Sequence, residues 1–128
     1  MTESPKLSFT KVLVDDLDAE TDFYQTVLGL KATQRFKVNI DGSDMEEVIL
    51  ESEGGHLILV HWLDQPAAPR GEVVVGFRAT AVEELFARAQ AAGGKVVRPP
   101  RAVREAGGLL AGVFEDPEGH ACEIVEEG

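Results

Sequence analysis

The chain has 128 residues, one domain's worth, and a chain of this size hides roughly two-thirds of its unfolded surface without staples. Its 12 basic and 23 acidic residues leave a formal charge of −11, which argues against nucleic acid and against anionic membranes. That charge keeps a chain soluble and is compatible with a cationic small-molecule partner. Cys122 is the one cysteine, so neither an intrachain disulfide nor a thiolate metal cluster can form, and its place in an expected strand gives it a packing role. Met1-Thr2-Glu3-Ser4-Pro5 is too polar for a signal peptide, and no apolar run approaches the roughly 18 residues that cross a bilayer. The expectation is a cytoplasmic protein, with disorder confined to Met1–Lys6 and the Glu-Glu-Gly end.

Taken in chain order, Leu7 to Val14 is rich in apolar and β-branched residues and predicts a strand. Asp18 is the expected cap of a helix from Ala19 to Leu28, with Glu20 and Asp22 suiting its positive end. Phe23, Tyr24, Val27 and Leu28 form its inward face, and Gly29 stops it. Strands follow from Leu30 to Val38, Met45 to Ser52 and His56 to Leu63, with Asp41-Gly42-Ser43 and Glu53-Gly54-Gly55 as turns. Asp64 to Gly71, with two prolines, is linker-like. The order then repeats: a strand from Glu72 to Ala79, a helix from Val82 to Ala92, Gly93-Gly94, a strand from Lys95 to Arg98 broken by Pro99-Pro100, and a hairpin of Leu109 to Glu115 with His120 to Glu126.

The repetition extends to single residues. One constant spacing sets Gly29 on Gly93, Glu51 on Glu115, Gly55 on Gly119, His56 on His120 and Leu59 on Glu123. A repeat of half the chain means two copies of one supersecondary unit. Each half reads β-α-β-β-β, so the expected fold is α+β: one domain over 1–128, with module one at 7–63, a linker at 64–71 and module two at 72–126. A helix covers one face of each sheet, and two modules set edge to edge curl a mixed sheet around a cleft, the natural ligand site.

Three stretches carry a resemblance to a known family. They are Val14 to Leu30 with its Asp22-Phe23-Tyr24 and Leu28-Gly29 pairs, Ala91 to Pro100, and Phe114 to Ile124 with its Asp116-Pro117-Glu118-Gly119 turn and Glu123. With the β-α-β-β-β order, the chain resembles the vicinal oxygen chelate superfamily: glyoxalase I, extradiol dioxygenases, fosfomycin-modifying enzymes and bleomycin-resistance proteins. The resemblance implies the glyoxalase-like fold and a ligand cleft; one scaffold here hosts many chemistries. It also implies a homodimer, closed symmetry being the common state.

Metal-dependent members carry His, Gln or Glu on the cleft side of the first and last strands of each module. By the resemblance those positions fall on Phe9, on Leu59 through its repeat match with Glu123, on Val74 to within one residue (Val73 and Val75 are no better donors) and on Glu123. Three of the four are hydrocarbon, and one carboxylate does not assemble the converging donors that a divalent ion needs. The expectation is therefore no metal and no cofactor. His61, two residues past Leu59, shares its expected face, but with Glu123 it makes two ligands at best, and a hydrogen-bonded histidine of the cleft wall is the plainer reading. His56 and His120 are expected at the surface or packed in turns.

Alternation assigns Phe9, Lys11 and Leu13, then Leu57, Leu59 and His61, then Val74, Gly76 and Arg78, then Ala121, Glu123 and Val125 to the cleft wall. Lys11, His61, Arg78 and Glu123 are its polar groups; Arg78 and Glu123 read either as an ion pair or as ligand contacts. Trp62, of opposite parity to His61, is expected on the helix side or at a subunit contact. The expected function is a metal-independent small-molecule-binding protein of the bleomycin-resistance type. The alternative is an enzyme, a lyase, isomerase or ring-cleaving dioxygenase, using Glu123 and His61 for acid–base work or a shifted metal site.

Overall fold

In the computed structural model, which describes residues 7–40, 42–67 and 73–128, two four-stranded mixed sheets each carry one long helix. Sheet one has the order β1 (Phe9–Leu13), β4 (Gly55–Trp62), β3 (Ser43–Ser52), β2 (Lys31–Ile40), with helix α1 (Leu17–Leu28) between β1 and β2. Sheet two repeats it as β5 (Val74–Ala79), β8 (Ala121–Glu126), β7 (Leu109–Glu115), β6 (Lys95–Val103), with α2 (Val82–Ala91) after β5. In each sheet the first and last strands run parallel and the remaining pairs antiparallel. The expected α+β architecture of two β-α-β-β-β modules is the observed one. Met1–Lys6, Asp41 and the 68–72 part of the expected linker lie outside the described residues.

The modules share one core. Val12 of β1, Val14 just after it, Leu57 and Leu59 of β4 and the inward face of α1 pack with Leu85, Phe86 and Ala89 of α2 and with Phe114, Cys122 and Ile124 of sheet two. Phe114 is its centre: Phe86 meets it edge-to-face at 5.1 Å between centroids, and Phe23 does so across the module boundary at 6.2 Å. Such aromatic pairs add to the area they bury. Arg88 of α2 donates from Nε and Nη2 to the Val27 carbonyl, so one module's helix closes the C-terminal end of the other's. The opposite sheet faces point away from this core. On sheet one that face holds Met45, Ile58 and Val60 with Leu13, Val38, Ile49 and Trp62.

Two local expectations are corrected. The cap of α1 is Asp16, whose side chain accepts from Ala19 N at 3.0 Å, so the helix starts at Leu17; Asp18 instead pairs with Arg35. Pro99-Pro100 do not break their strand. β6 runs from Lys95 to Val103 through both, with its register against β7 shifted between Arg98 and Arg101. It can do so because β6 is an edge strand, where a missing N–H loses no ladder bond on the open side.

That bulge leans on Gly112. A Cβ there would stand 2.7 Å from the Arg98 carbonyl oxygen, 2.8 Å from Phe86 Cζ and 3.0 Å from Pro100 N. Gly112→Ala is expected to cost roughly 1–3 kcal/mol through overpacking, measured as a lowered midpoint of urea unfolding. An unchanged midpoint would mean that β6 yields freely.

Candidate functional site

The residues expected on the cleft wall divide between the two sheet faces that look away from the core and the core itself. Phe9, Lys11 and Leu13 lie on the outward face of sheet one, with Phe9 52 % exposed. Val74, Arg78 and Glu123 lie exposed on the outward face of sheet two, Val75, Phe77, Cys122 and Ile124 being turned to the core. Leu59 is corrected: it is fully buried on the helix side with Leu57. His61 shares that parity, and its Nδ1 lies 3.2 Å from the Val14 carbonyl oxygen. Trp62, expected on the helix side or at a subunit contact, is not on the helix side but on the outward face with Ile58 and Val60.

The cause is a single residue. Ser52 pairs with Gly55 across a two-residue turn, whereas Glu115 pairs with Ala121 across five. Relative to Glu51 and Glu115, the second turn is one residue longer, so the constant spacing fails beyond it. A slip of one residue moves every later side chain to the other face. Register gives the true equivalence: Lys11 pairs with Ile58 as Gly76 pairs with Glu123. Ile58, and not Leu59, stands where Glu123 stands. Like Leu59 it is hydrocarbon, so Phe9, Ile58, Val74 and Glu123 offer a divalent ion one carboxylate. These residues do not fit the family-type metal.

Lys11 Nζ lies 3.0 Å from Glu47 Oε2, and Glu47 is 3 % exposed among Leu13, Ile58 and Val60. Sequence reasoning missed this carboxylate because Glu46 and Glu47 adjoin, and alternation alone did not say which was inward. Among the described residues no ion pair joins Arg78 to Glu123. Lys11→Met would leave Glu47 buried without its partner. A loss of roughly 1–3 kcal/mol is expected, largely recovered in Lys11→Met with Glu47→Leu; a double variant as weak as the single would refute the pairing.

Between the modules lies a cavity of about 750 Å³. Its floor is Val27, Leu28, Leu50, Leu57 and Leu85; its rim includes Thr10 of β1, His56 and, from module two, Arg78 and Arg88. Of the residues expected on the cleft wall, Leu57, Gly76 and Arg78 line it.

The most polar buried group was also missed. Glu20, read from sequence as a helix-dipole residue, is fully buried, as is Tyr24 one turn on. The signal was its spacing: Leu17, Glu20, Tyr24 and Val27 recur at three and four residues, the stripe that faces the core. Beside them, Asp116 accepts from Glu118 N, His120 N, Tyr24 OH at 2.8 Å and His120 Nδ1 at 2.7 Å. His120 Nε2 donates to the Leu13 carbonyl at 2.9 Å, and Glu118 accepts from Asp15 N and Asp16 N. The expected turn histidine is thus a bridge from the β7–β8 turn to the β1–α1 junction.

The electrostatics follow from this packing. Burial raises the Glu20 carboxyl well above its ordinary range. Burial would lower His120, but Asp116 and Glu20 outweigh it and raise the imidazole. Burial would raise Asp116, but hydrogen bonds led by that from His120 hold it low. Burial pushes the Cys122 thiol up to about 12, so it is no nucleophile at neutral pH. The raised imidazole contributes stability that is complete below its ordinary value of 6.5 and lost as pH rises towards about 10. The raised carboxyl acts in the same direction, since ionising it buried becomes costly above its ordinary 4.5. The melting temperature should therefore fall between about pH 7 and pH 10, with a shallower slope in His120→Asn; equal slopes in calorimetry would contradict this.

The profile of the family described as "Glyoxalase/Bleomycin resistance protein/Dioxygenase superfamily" matches residues 6–124. Among solved structures, a glyoxalase-related enzyme from Fulvimarina pelagi aligns at TM-score 0.72 and 25% identity, over 95% of this chain and 88% of its own. A glyoxalase family protein from Bacillus cereus aligns at TM-score 0.83 and 17% identity, over 98% and 96%. Lactoylglutathione lyase from Agrobacterium tumefaciens aligns at TM-score 0.65 and 21% identity, over 98% and 96%. No curated protein sequence matches significantly.

Proposed function

The chain belongs to the glyoxalase/bleomycin resistance protein/dioxygenase superfamily, and on that premise we propose that it is a small-molecule-binding protein that works without the family's divalent ion. The observation that carries this reading is the donor set on the outward faces, where Phe9, Ile58 and Val74 accompany Glu123. Without an ion there is no electrophile to hold an enediolate or activate dioxygen. What remains is an apolar surface with a few fixed charges: the Lys11–Glu47 pair on sheet one, Arg78 and Glu123 on sheet two. Apolar walls with few convergent polar groups suit a small organic ligand, and the charge of −11 favours a cationic one.

Within one chain the two faces look away from the shared core and each is half of a binding site. A homodimer that lays sheet one of one copy against sheet two of its partner completes it, and isologous pairing does so twice. The exposure of Phe9 at 52 % and Val74 at 58 % supports a covered role for both. A second reading is favoured by the cavity of about 750 Å³, which offers a ligand a half-open hollow within one chain. In both readings Arg78 touches the ligand. Glu123 would be the acid–base group of a dimer-borne enzyme; His61, turned to the Val14 carbonyl, would not.

Native mass spectrometry against a cationic glycopeptide and a panel of aromatic metabolites tests the proposal, with light scattering to give the oligomeric state. A dimer that binds a panel member, with affinity lost in Glu123→Gln and kept in Thr10→Trp, supports the dimer-borne site. Loss in Thr10→Trp alone supports the cavity. No binding at all, or turnover that requires a divalent ion and Glu123, overturns the proposed function.

A further inference from the structure

The buried group at Glu20 is built in a way that the proposed ligand site does not use. α1 delivers Glu20 and Tyr24 one turn apart on its core face, at the place where α2 has Leu85 and Ala89. The β7–β8 turn delivers Asp116 and His120. A carboxylate oxygen from each acid and one imidazole nitrogen lie within 4.8 Å of one another, with Nδ1 of His120 2.7 Å from Asp116 Oδ2 and 3.2 Å from Glu20 Oε1. Glu20 is fully buried, and apart from the 3.2 Å ion pair of Oε1 with His120 Nδ1 neither of its oxygens makes a well-formed hydrogen bond. Buried polar atoms are seldom left so, and a proton on His120 already serves Asp116 without satisfying both oxygens of Glu20.

The outer contacts fit a metal. His120 Nε2 is committed to the Leu13 carbonyl, which fixes the ring and turns Nδ1 toward the two acids. Ligating histidines are held in this way, by a backbone carbonyl on the far nitrogen. Asp116 is steadied by the Tyr24 hydroxyl and two backbone N–H groups. One nitrogen and two carboxylate oxygens suit zinc and its first-row neighbours. We propose that Glu20, Asp116 and His120 bind one divalent cation of this class, which ties α1 of the first module to the β7–β8 turn of the second. An ion at about 2.0–2.2 Å from each donor takes the place of the proton on Nδ1. The site is structural: its ligands lie in the core between modules, away from the outward faces and from Glu123.

Zinc titrated into chelator-treated, tag-free protein tests this by calorimetry, with cobalt as a spectroscopic probe. Expected are one ion per chain, a raised melting temperature, and affinity weakened at least about tenfold in Glu20→Gln and in His120→Asn. Glu123→Gln and His61→Asn should bind as the parent does. Glu20→Leu, which installs the residue of the second module, keeps the core filled; it should melt cooperatively and no longer respond to zinc. No saturable binding at one equivalent, or binding that survives Glu20→Leu, overturns the site, whatever the outcome of the ligand screen.

Discussion

Asp116 holds the two halves of the molecule in place. Its carboxylate takes four donors, two from its own turn and one each from Tyr24 of the other module and from His120, whose second nitrogen reaches the Leu13 carbonyl. A buried carboxylate is costly unless all its lone pairs are met, and here the groups that meet them come from both modules. The shared core around Phe114 is non-directional and would tolerate sliding of one module on the other. The polar junction would not, because each bond fixes a particular turn against a particular strand end. Arg88 on the Val27 carbonyl acts likewise at the other end of α1.

The cavity and the junction are counterparts. In module two the longer turn carries Asp116 to His120 across to the end of β1 and fills the space beside Glu20. In module one the shorter turn, Glu53-Gly54, borders an opening together with β5 and with Leu85, the counterpart of Glu20. One residue in a turn thus separates a sealed polar contact from a hollow between modules. The same residue decides which side chains of β4 face outward.

Much of the fold was legible because it rests on local signals: the helical stripes, Gly29 in the left-handed conformation at the end of α1, and turn residues at each reversal. The order of strands followed from the repeat. The site was less legible. On β1, β5 and β8, alternation set Phe9, Lys11, Val74, Arg78 and Glu123 on the sheet faces turned away from the core, since each strand's parity could be read from its own residues, and of these five only Arg78 lines the cavity. On β4 it failed: Leu57, Ile58, Leu59 and Val60 are all apolar and all buried, one pair against α1 and one against Met45, so the strand has no polar face to mark its parity. The repeat was then asked to supply a register across a turn whose length differs. Glu20 and His120 went unread for another reason: each has an ordinary local role, at a helix start and in a turn, and only their meeting across some hundred residues gives them a second one.

The two modules also end differently. Besides β1 and β5, the edge strands are β2 in sheet one and β6 in sheet two, and among the described residues each of these two has a strand partner on one side. β6 answers with Pro99 and Pro100, which supply no N–H to an incoming strand, and with the register shift that twists the edge. β2 has no proline; it carries Lys31, Arg35 and Lys37, with Arg35 anchored to Glu46 and Asp18. Bends and charges are two separate defences against unwanted strand addition. The halves of this chain, though built alike, guard against aggregation by different means, and a change that disarms one edge leaves the other protected.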